Sequence, residues 1–472
     1  MCNATGRGDI DDPKSKTRKR PLTLGYLVDR YRLKAIAAKA DDWVFVRMDG
    51  GGQPLRDSGV RKGCRITGRF HNFPSPTIRM GHFQQERAHK AHIRSRGWIM
   101  EFAAQSVWAE KQMMVYCPMV EATTKVEQLE KKLVADWSHL RRARKAAWTK
   151  RTELREALSG LDSEDTSVVV SGSLARDEFT SGSDIDWTLL IDGSADPRHH
   201  DLFREIEMKV RPLATKATGV EGTFGSMVFS HDLIHEIGGE DDTNRNTTRR
   251  LLLLLESRAV GREDAYLRVV RSILDRYLLE DRGLWKGSGH RVPRFLQNDF
   301  ARYWRTMAVD FAYKLRKRAG KGWAIRNIKL RMSRKLIYVS GLLACYRCHL
   351  DYSPQERKII FANPDRRKEV VEHMETVFRD TPLDIVAGVL LGYEHLEEAA
   401  RKVFESYNGF LGILADDARR THLETLTEDK ADGDAIYQQA RKFSHEFRDG
   451  LLDFFFDSKS ELDSLTKNYG VF

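Results

Sequence analysis

Cysteine is scarce in this sequence of 472 residues, and the five that occur are scattered along it. An odd, dispersed set without a secretory signal does not form a disulfide framework, so we expect a reducing, cytoplasmic setting. The chain also lacks an apolar run near the ~20 residues that a membrane helix needs, which predicts that it does not enter a membrane. A Gly-x-x-x-x-Gly-Lys-[Ser/Thr] loop is missing as well, and this excludes the P-loop class.

Convincing zinc or haem patterns are also missing. Cys345-Tyr-Arg-Cys348-His349 has the literal spacing of a haem-attachment site, but that chemistry belongs to exported proteins. We interpret the two thiols as part of a buried helix. The net charge is +11, which permits a nucleic-acid partner without indicating one, because the same balance suits a triphosphate substrate or solubility.

The stretch VVVSGSLARDEFTSGSDIDWTLLI, residues 168–191, carries the strongest chemical pattern in the chain. Val168–Val170 is a β-branched run typical of a buried strand, and Asp184–Ile191 predicts a second strand. Between them, Gly172 and Ser173 end the first strand. Glycine lets the backbone pass close to a phosphate because it has no Cβ, and the serine hydroxyl can donate a hydrogen bond.

Asp184 and Asp186 would lie on the same face of the second strand, because residues i and i+2 of a strand point the same way. Two neighbouring carboxylates repel each other unless a cation joins them. Oxygen ligands of this kind favour Mg²⁺, or Mn²⁺, which also holds the phosphates of a nucleotide. The stretch therefore predicts a metal site that faces a phosphate-binding turn.

The Gly-Ser pair and the following Asp-hydrophobic-Asp strand resemble the nucleotidyltransferase signature of the DNA polymerase beta superfamily. With Arg176, Glu178 and Ser183 also in place, the pattern looks most like the branch of the PII-protein uridylyltransferases and related signal-transduction nucleotidyltransferases. The resemblance covers about residues 120–350. It implies an α/β nucleotidyltransferase domain, with a small mixed sheet and flanking helices, followed by an all-helical domain.

The resemblance also implies roles for individual residues. Asp184 and Asp186 would bind the metal ion. Gly172 and Ser173 would hold the β- and γ-phosphates of a nucleoside triphosphate, and Arg176 would offset developing charge.

A third carboxylate is common in the superfamily. In this chain the segment FSHDLIHEIGG resembles the strand that carries it, and Glu236 as a catalytic residue and Asp232 as a metal ligand are the two candidates. A site with two carboxylates, phosphate and water oxygens is also feasible.

We predict three regions: a poorly ordered or weakly structured basic extension over 1–112, the nucleotidyltransferase domain with a leading helix over 113–262, and a helical bundle over 263–472. Superfamily members use such a helical domain to cover the nucleotide. Phosphate contacts are therefore expected from three basic residues of the bundle: Arg302, Lys329 and Lys335. The alternative for each of them is a solvated basic helix face.

The predicted activity is transfer of a nucleoside monophosphate from a nucleoside triphosphate to a hydroxyl acceptor. A protein, a small molecule or another nucleotide could be the acceptor, and signalling and defence are the settings considered. The alternative is a non-catalytic nucleotide sensor or interaction protein with the same fold. Intact Asp184 and Asp186 favour the enzyme, whereas the unsettled third carboxylate favours the sensor.

Overall fold

The computed structural model describes residues 123–214, 225–286, 289–317 and 320–470. The predicted extension over 1–112 lies outside these residues. The first described elements are the helices α1 (Lys125–Lys132) and α2 (Ser138–Ala157). A capping box between Thr124 and Glu127 starts α1.

The leading segment is two helices, whereas the sequence predicted a single leading helix. The chain turns between α1 and α2, where Val134 has a φ of 50°. This break lets Trp137 stack on Phe404 of the C-terminal region, with 4.7 Å between the ring centroids.

A mixed sheet of four strands follows, in the order β3-β2-β1-β4. Its strands are β1 (Thr166–Ser171), β2 (Asp186–Ile191), β3 (Met227–Phe229) and β4 (Ser257–Ala259). Strand β1 is antiparallel to both β2 and β4, and β2 is parallel to β3. The parallel pair is joined through the crossover helix α3 (Arg198–Val210).

Both faces of the sheet are buried, which explains the continuous apolar run of β1. Val168 and Val170 pack on one side with Ile206 and Val210 of α3. Val169 faces the opposite side and packs in a separate core with the leucines of α5 (Asn244–Leu255). The small mixed sheet with flanking helices confirms the predicted fold of this part of the chain.

Two strand predictions need correction. Strand β2 begins at Asp186, so Asp184 lies in the preceding loop. In FSHDLIHEIGG only the first residue belongs to β3, which ends at Phe229, and the short helix α4 (Ser230–Ile234) follows immediately. Asp232 is therefore on a helix, and Glu236 lies in the turn after it.

The chain after β4 is mostly helical among the described residues, which confirms the predicted all-helical region. Its helices are α6 (Asp264–Glu280), α7 (Arg282–Trp285), α8 (Arg294–Lys317), α9 (Trp323–Lys329), α10 (Lys335–Leu350), α11 (Pro354–Ile360), α12 (Arg367–Phe378), α13 (Pro382–Leu390), α14 (Glu397–Ala415), α15 (Asp417–Thr425), α16 (Glu428–Ala431), α17 (Ala435–Phe455) and α18 (Glu461–Leu465). A π-helical segment, Leu330–Arg334, joins α9 to α10. None of the helices that the structure describes is both long and apolar enough to span a membrane.

Candidate active site

The turn after β1 brings the backbone against the acid pair. Gly172 follows the last residue of β1 and has a φ of 69°, a conformation that strains any residue with a Cβ. A Cβ at this position would lie 3.0 Å from Oδ2 of Asp186. The Gly172 N–H donates to the backbone carbonyl of Glu256 at 3.2 Å. Because this N–H is already bonded, Gly172 serves to let the backbone approach Asp186 closely. The donor that remains for a phosphate is the partly exposed Ser173 beside it.

Asp184 and Asp186 are close enough to affect each other electrostatically. Asp186 is the first residue of β2 and lies opposite Ser171 in the β1 ladder. Burial, followed by the negative charge of Asp184, raises the pKa of Asp186 to about 7, and Arg334 partly offsets the increase. Asp184 is exposed. The two carboxylates are thus brought together although Asp184 is not part of the strand.

Glu256 is a third carboxylate near this pair, and the sequence analysis did not single it out. It follows the last residue of α5 and precedes β4, whose Ser257 pairs with Ser171. The Glu256 side chain is buried, and its charge also raises the pKa of Asp186. A signal was present in the sequence, because the leucine-rich helix ends in a Glu-Ser-Arg step of the kind seen in the uridylyltransferase branch.

Donors already surround the Glu256 carboxylate. Tyr303 donates its hydroxyl hydrogen to Oε1 at 3.1 Å, and Nη1 of Arg334 donates to the same oxygen at 3.3 Å. Arg176 forms an ion pair with Oε2. These contacts come from three separate elements and hold Glu256 at the end of the sheet where Asp186 begins.

Arg176 is engaged within the protein. Its guanidinium also donates to Oε2 of Glu178, at 3.0 Å from Nε and 2.8 Å from Nη2. Burial lowers its pKa, but Glu178 and Glu256 more than compensate, so the pKa of Arg176 is raised overall. Its charge is therefore neutralised by two carboxylates, and contact with a phosphate stays a prediction.

Lys329 and Arg334 approach the acid pair from the helical region. Lys329 ends α9, and burial together with the positive charge of Arg420 lowers its pKa to about 8, with Asp184 opposing the change. Arg334, at the end of the π-helical segment, bonds Glu256 as described above. Lys335 is buried at the first position of α10. The structure directs Arg334 to Glu256, whereas contacts of Lys329 and Lys335 with a phosphate stay predictions.

The structure does not bring Arg302 to the acid pair. Its guanidinium donates to the backbone carbonyl of Asp242 at 2.8 Å and to Oδ1 of Asn244, at the beginning of α5. Glu256 follows the other end of this helix of 12 residues, which is about 18 Å long. Arg302 therefore stabilises the start of α5, which corrects its expected place beside the nucleotide.

Asp232 and Glu236 also lie away from the pair. Phe229, the last residue of β3, pairs with Ile191 at the end of β2 opposite to Asp186. The strand between those two ends is about 16 Å long, because each residue advances a strand by about 3.3 Å. Asp232 is exposed in α4 beyond that far end. This segment therefore does not place a third carboxylate beside Asp184 and Asp186. The fold places Glu256 near them instead.

Comparison with known proteins agrees with this geometry. Residues 151–217 match the model of a family described as the nucleotidyltransferase domain. The match supports the polymerase beta-like superfamily and, in general terms, binding of a nucleoside triphosphate and transfer of its monophosphate. No curated protein and no solved structure matches the chain significantly.

The matched segment contains part of the candidate site. Gly172, Ser173, Arg176, Asp184 and Asp186 all lie inside 151–217. The helical cations and the acids after β3 do not. The nucleotidyltransferase domain match therefore covers the turn and the acid pair. Lys329, Arg334 and Glu256 are placed near them by the geometry alone.

Proposed function

We propose that the protein is a metal-dependent nucleotidyltransferase that moves a nucleoside monophosphate from a nucleoside triphosphate to an acceptor hydroxyl. One observation carries the proposal: the Gly172 backbone lies directly against the carboxylate of Asp186, with Asp184 beside it. A phosphate at the turn would then lie within reach of both acids. The nucleotidyltransferase domain match over the same residues supports this interpretation.

The acid pair fits Mg²⁺ or Mn²⁺. The raised pKa of Asp186 reflects burial and repulsion by Asp184, and a divalent cation would relieve both effects. Mg²⁺ is commonly held by one or two carboxylates together with phosphates and water, so Asp184 and Asp186 would suffice as protein ligands. When bound, the ion supplies positive charge to the phosphates.

The remaining residues would bind and orient the substrate. Ser173 would donate its hydroxyl hydrogen to a phosphate oxygen, and Lys329 would place its charge beside the phosphates near Asp184. The acceptor oxygen would attack the α-phosphorus in line while the bond to the β-phosphate breaks and pyrophosphate leaves. Glu256 would serve mainly to hold Arg334 and Arg176 beside the acids, because its carboxylate already accepts from three side chains.

A non-catalytic nucleotide sensor is the second candidate. One observation favours it: Arg176, the residue expected to offset developing charge, is already engaged by Glu178 and Glu256. A sensor could bind a nucleotide through the turn and Lys329 without turning it over.

The two functions differ in a direct experiment. Purified full-length protein is incubated with each α-labelled nucleoside triphosphate and Mg²⁺, with and without candidate hydroxyl acceptors. Release of pyrophosphate together with label on a product supports the transferase. Saturable nucleotide binding without pyrophosphate release would support the sensor instead.

A further inference from the structure

Asp184 has no strand pairing to fix it. The β1–β2 ladder begins at Asp186, opposite Ser171, because Gly172 turns β1 away at the next position. Asp184 therefore belongs to the end of the loop between the two strands. The distance between the two acids must then be set by whatever holds that loop.

The loop segment Thr180–Ser183 is held internally by a small polar network. The backbone N–H of Thr180 donates to Oγ of Ser183 at 3.0 Å, and the N–H of Ser183 donates to the carbonyl of Thr180 at 2.9 Å. Their hydroxyl oxygens are 3.2 Å apart. Both residues are buried, and Ser183 is the immediate neighbour of Asp184.

Helix α15 contacts this network from outside the sheet. Nη1 of Arg420 donates to Oγ1 of Thr180 at 3.2 Å, and the hydroxyl of Ser181 donates to Oδ1 of Asp417 at 2.6 Å. At Gly182 the approach is so close that a Cβ would lie 2.6 Å from Nε of Arg420. The guanidinium therefore packs on the loop backbone two residues before Asp184.

Arg420 differs from its neighbour Arg419 in every respect that bears on the loop. Arg420 is only 7% exposed, and Nε also donates to Oε1 of Glu424 at 3.1 Å. Arg419 has a side chain that is 45% exposed and lies 3.4 Å from Asp416. Burying a cation costs free energy unless the cation is paired and hydrogen-bonded. The contacts of Arg420 with the loop and with Glu424 meet this condition, and the exposed Arg419 is the matched control.

We propose that Arg420 is a positioning residue of the candidate active site: it fixes Thr180–Ser183 and thereby sets the place of Asp184 beside Asp186. The expected effect of Arg420 on nucleotidyl transfer rests on the proposed function. Its expected effect on the loop conformation does not. Arg420 acts through the Thr180 hydroxyl and the Gly182 backbone, so its removal releases the loop while the β1–β2 ladder stays intact.

The first measurement is backbone hydrogen exchange in the metal-free full chain. In Arg420→Ala we expect the amides of Thr180 and Ser183 to exchange about tenfold faster than in the wild type, with β2 unchanged. Arg419→Ala should match the wild type. If Arg420→Ala fails to fold, Arg420→Lys provides the comparison, and exchange several-fold faster is expected. Wild-type exchange in the folded variant would overturn the proposal.

The second measurement is the Mg²⁺ concentration that gives half-maximal nucleotidyl transfer. A misplaced Asp184 should raise this concentration about tenfold in Arg420→Ala and leave it unchanged in Arg419→Ala. General destabilisation would lower the maximal rate without shifting the Mg²⁺ dependence, and that result would count against positioning. If the wild type transfers no nucleotide at all, the proposed function fails, and hydrogen exchange still decides the role of Arg420.

Discussion

Gly172 is the residue at which the turn and the acid pair come closest. Two separate constraints require glycine there: a φ of 69° and the 3.0 Å that would separate a Cβ from Oδ2 of Asp186. The backbone strain is a general cost of this conformation, whereas the contact with Asp186 is specific to the site. A control glycine that has the positive φ but no close neighbour therefore separates the backbone strain from the contact with Asp186.

Gly160 is that control, because it has a φ of 81° and nothing lies within 4 Å of an added Cβ. We predict that Gly172→Ala and Gly160→Ala both lose about 1 kcal/mol of unfolding free energy, owing to the backbone conformation. Only Gly172→Ala should also lose nucleotidyl transfer, by about tenfold or more, since it displaces the Asp186 carboxylate. Denaturant unfolding and transfer assays check both quantities, and equal activities of the two variants would contradict the site geometry.

Lys329 and Arg302 were expected to contact phosphates alike, and the structure separates them. We predict that Lys329→Ala weakens binding of a non-hydrolysable nucleoside triphosphate by about 1–3 kcal/mol, similarly for all four bases, because it removes a charge near Asp184. Arg302→Ala should change binding by less than about 0.5 kcal/mol. Calorimetric titration measures both, and an unchanged affinity of the Lys329 variant would remove it from the site.

At the scale of elements, the hydrophobic pattern located β1 because its β-branched run is buried on both faces of the sheet. The start of β2 was misplaced because the alternation in Asp184-Ile185-Asp186 continues past the point where the ladder ends. Pairing ends there because Gly172 bends the partner strand away, and that information lies outside β2. The local pattern therefore predicted the acid pair, but it did not predict that Asp184 lies in a loop.

The local Glu-Ser-Arg step draws attention to Glu256, but its place beside Asp186 could not be read from that step. That place depends on the length of α5 and on the pairing of β4 with β1, which join residues far apart in sequence. The same holds for Asp232 and Glu236, since their distance from the acids follows from the parallel register of β3. Sequence thus predicted the turn and the acid pair, whereas the position of Glu256 near them follows from tertiary structure.

The end of α10 provides a pH-dependent contact. His349 is buried, and its Nδ1 accepts the backbone N–H of Arg291 at 3.1 Å. Burial, followed by the positive charges of Arg357, His290 and Arg291, lowers the pKa of His349 from 6.5 to about 4. Between these pH values the unfolded chain binds a proton that the folded chain does not, so stability is lost as the pH falls.

We therefore predict that His349 accounts for a loss of about 2 kcal/mol in unfolding free energy between pH 7.5 and pH 5. In His349→Gln the difference between the two pH values should shrink by about this amount, whatever the variant's absolute stability. Denaturant unfolding at both pH values provides the measurement. An identical pH dependence in the variant and the wild type would show that another group is responsible.

At the scale of the whole molecule, the sheet and the helical region share the residues that assemble the site. Tyr407 of α14 donates to Oε1 of Glu178 at 2.8 Å, while α15 holds the loop before Asp184. The resemblance predicted a helical domain that covers the nucleotide. In the structure, α15 contacts the loop before Asp184, and only such non-local contacts reveal this support.

None of the candidate-site residues lies in 1–112. We predict that a chain beginning at Met114 retains nucleotide binding and transfer within about twofold of the full chain, because every proposed contact is kept. Parallel assays of the two proteins, with matched concentrations of folded material, check the expectation. An inactive shortened chain beside an active full chain would show that the N-terminal region takes part in function.

The central claim is that Asp184 and Asp186 carry out metal-dependent transfer beside the Gly172 turn. Its most direct test compares pyrophosphate release by the wild type and by the Asp184→Asn, Asp186→Asn double variant, at equal folded concentrations. We predict that the double variant loses transfer to background while its metal-free melting temperature stays equal or rises, because mutual repulsion is relieved. Unchanged turnover in the double variant would contradict the claim.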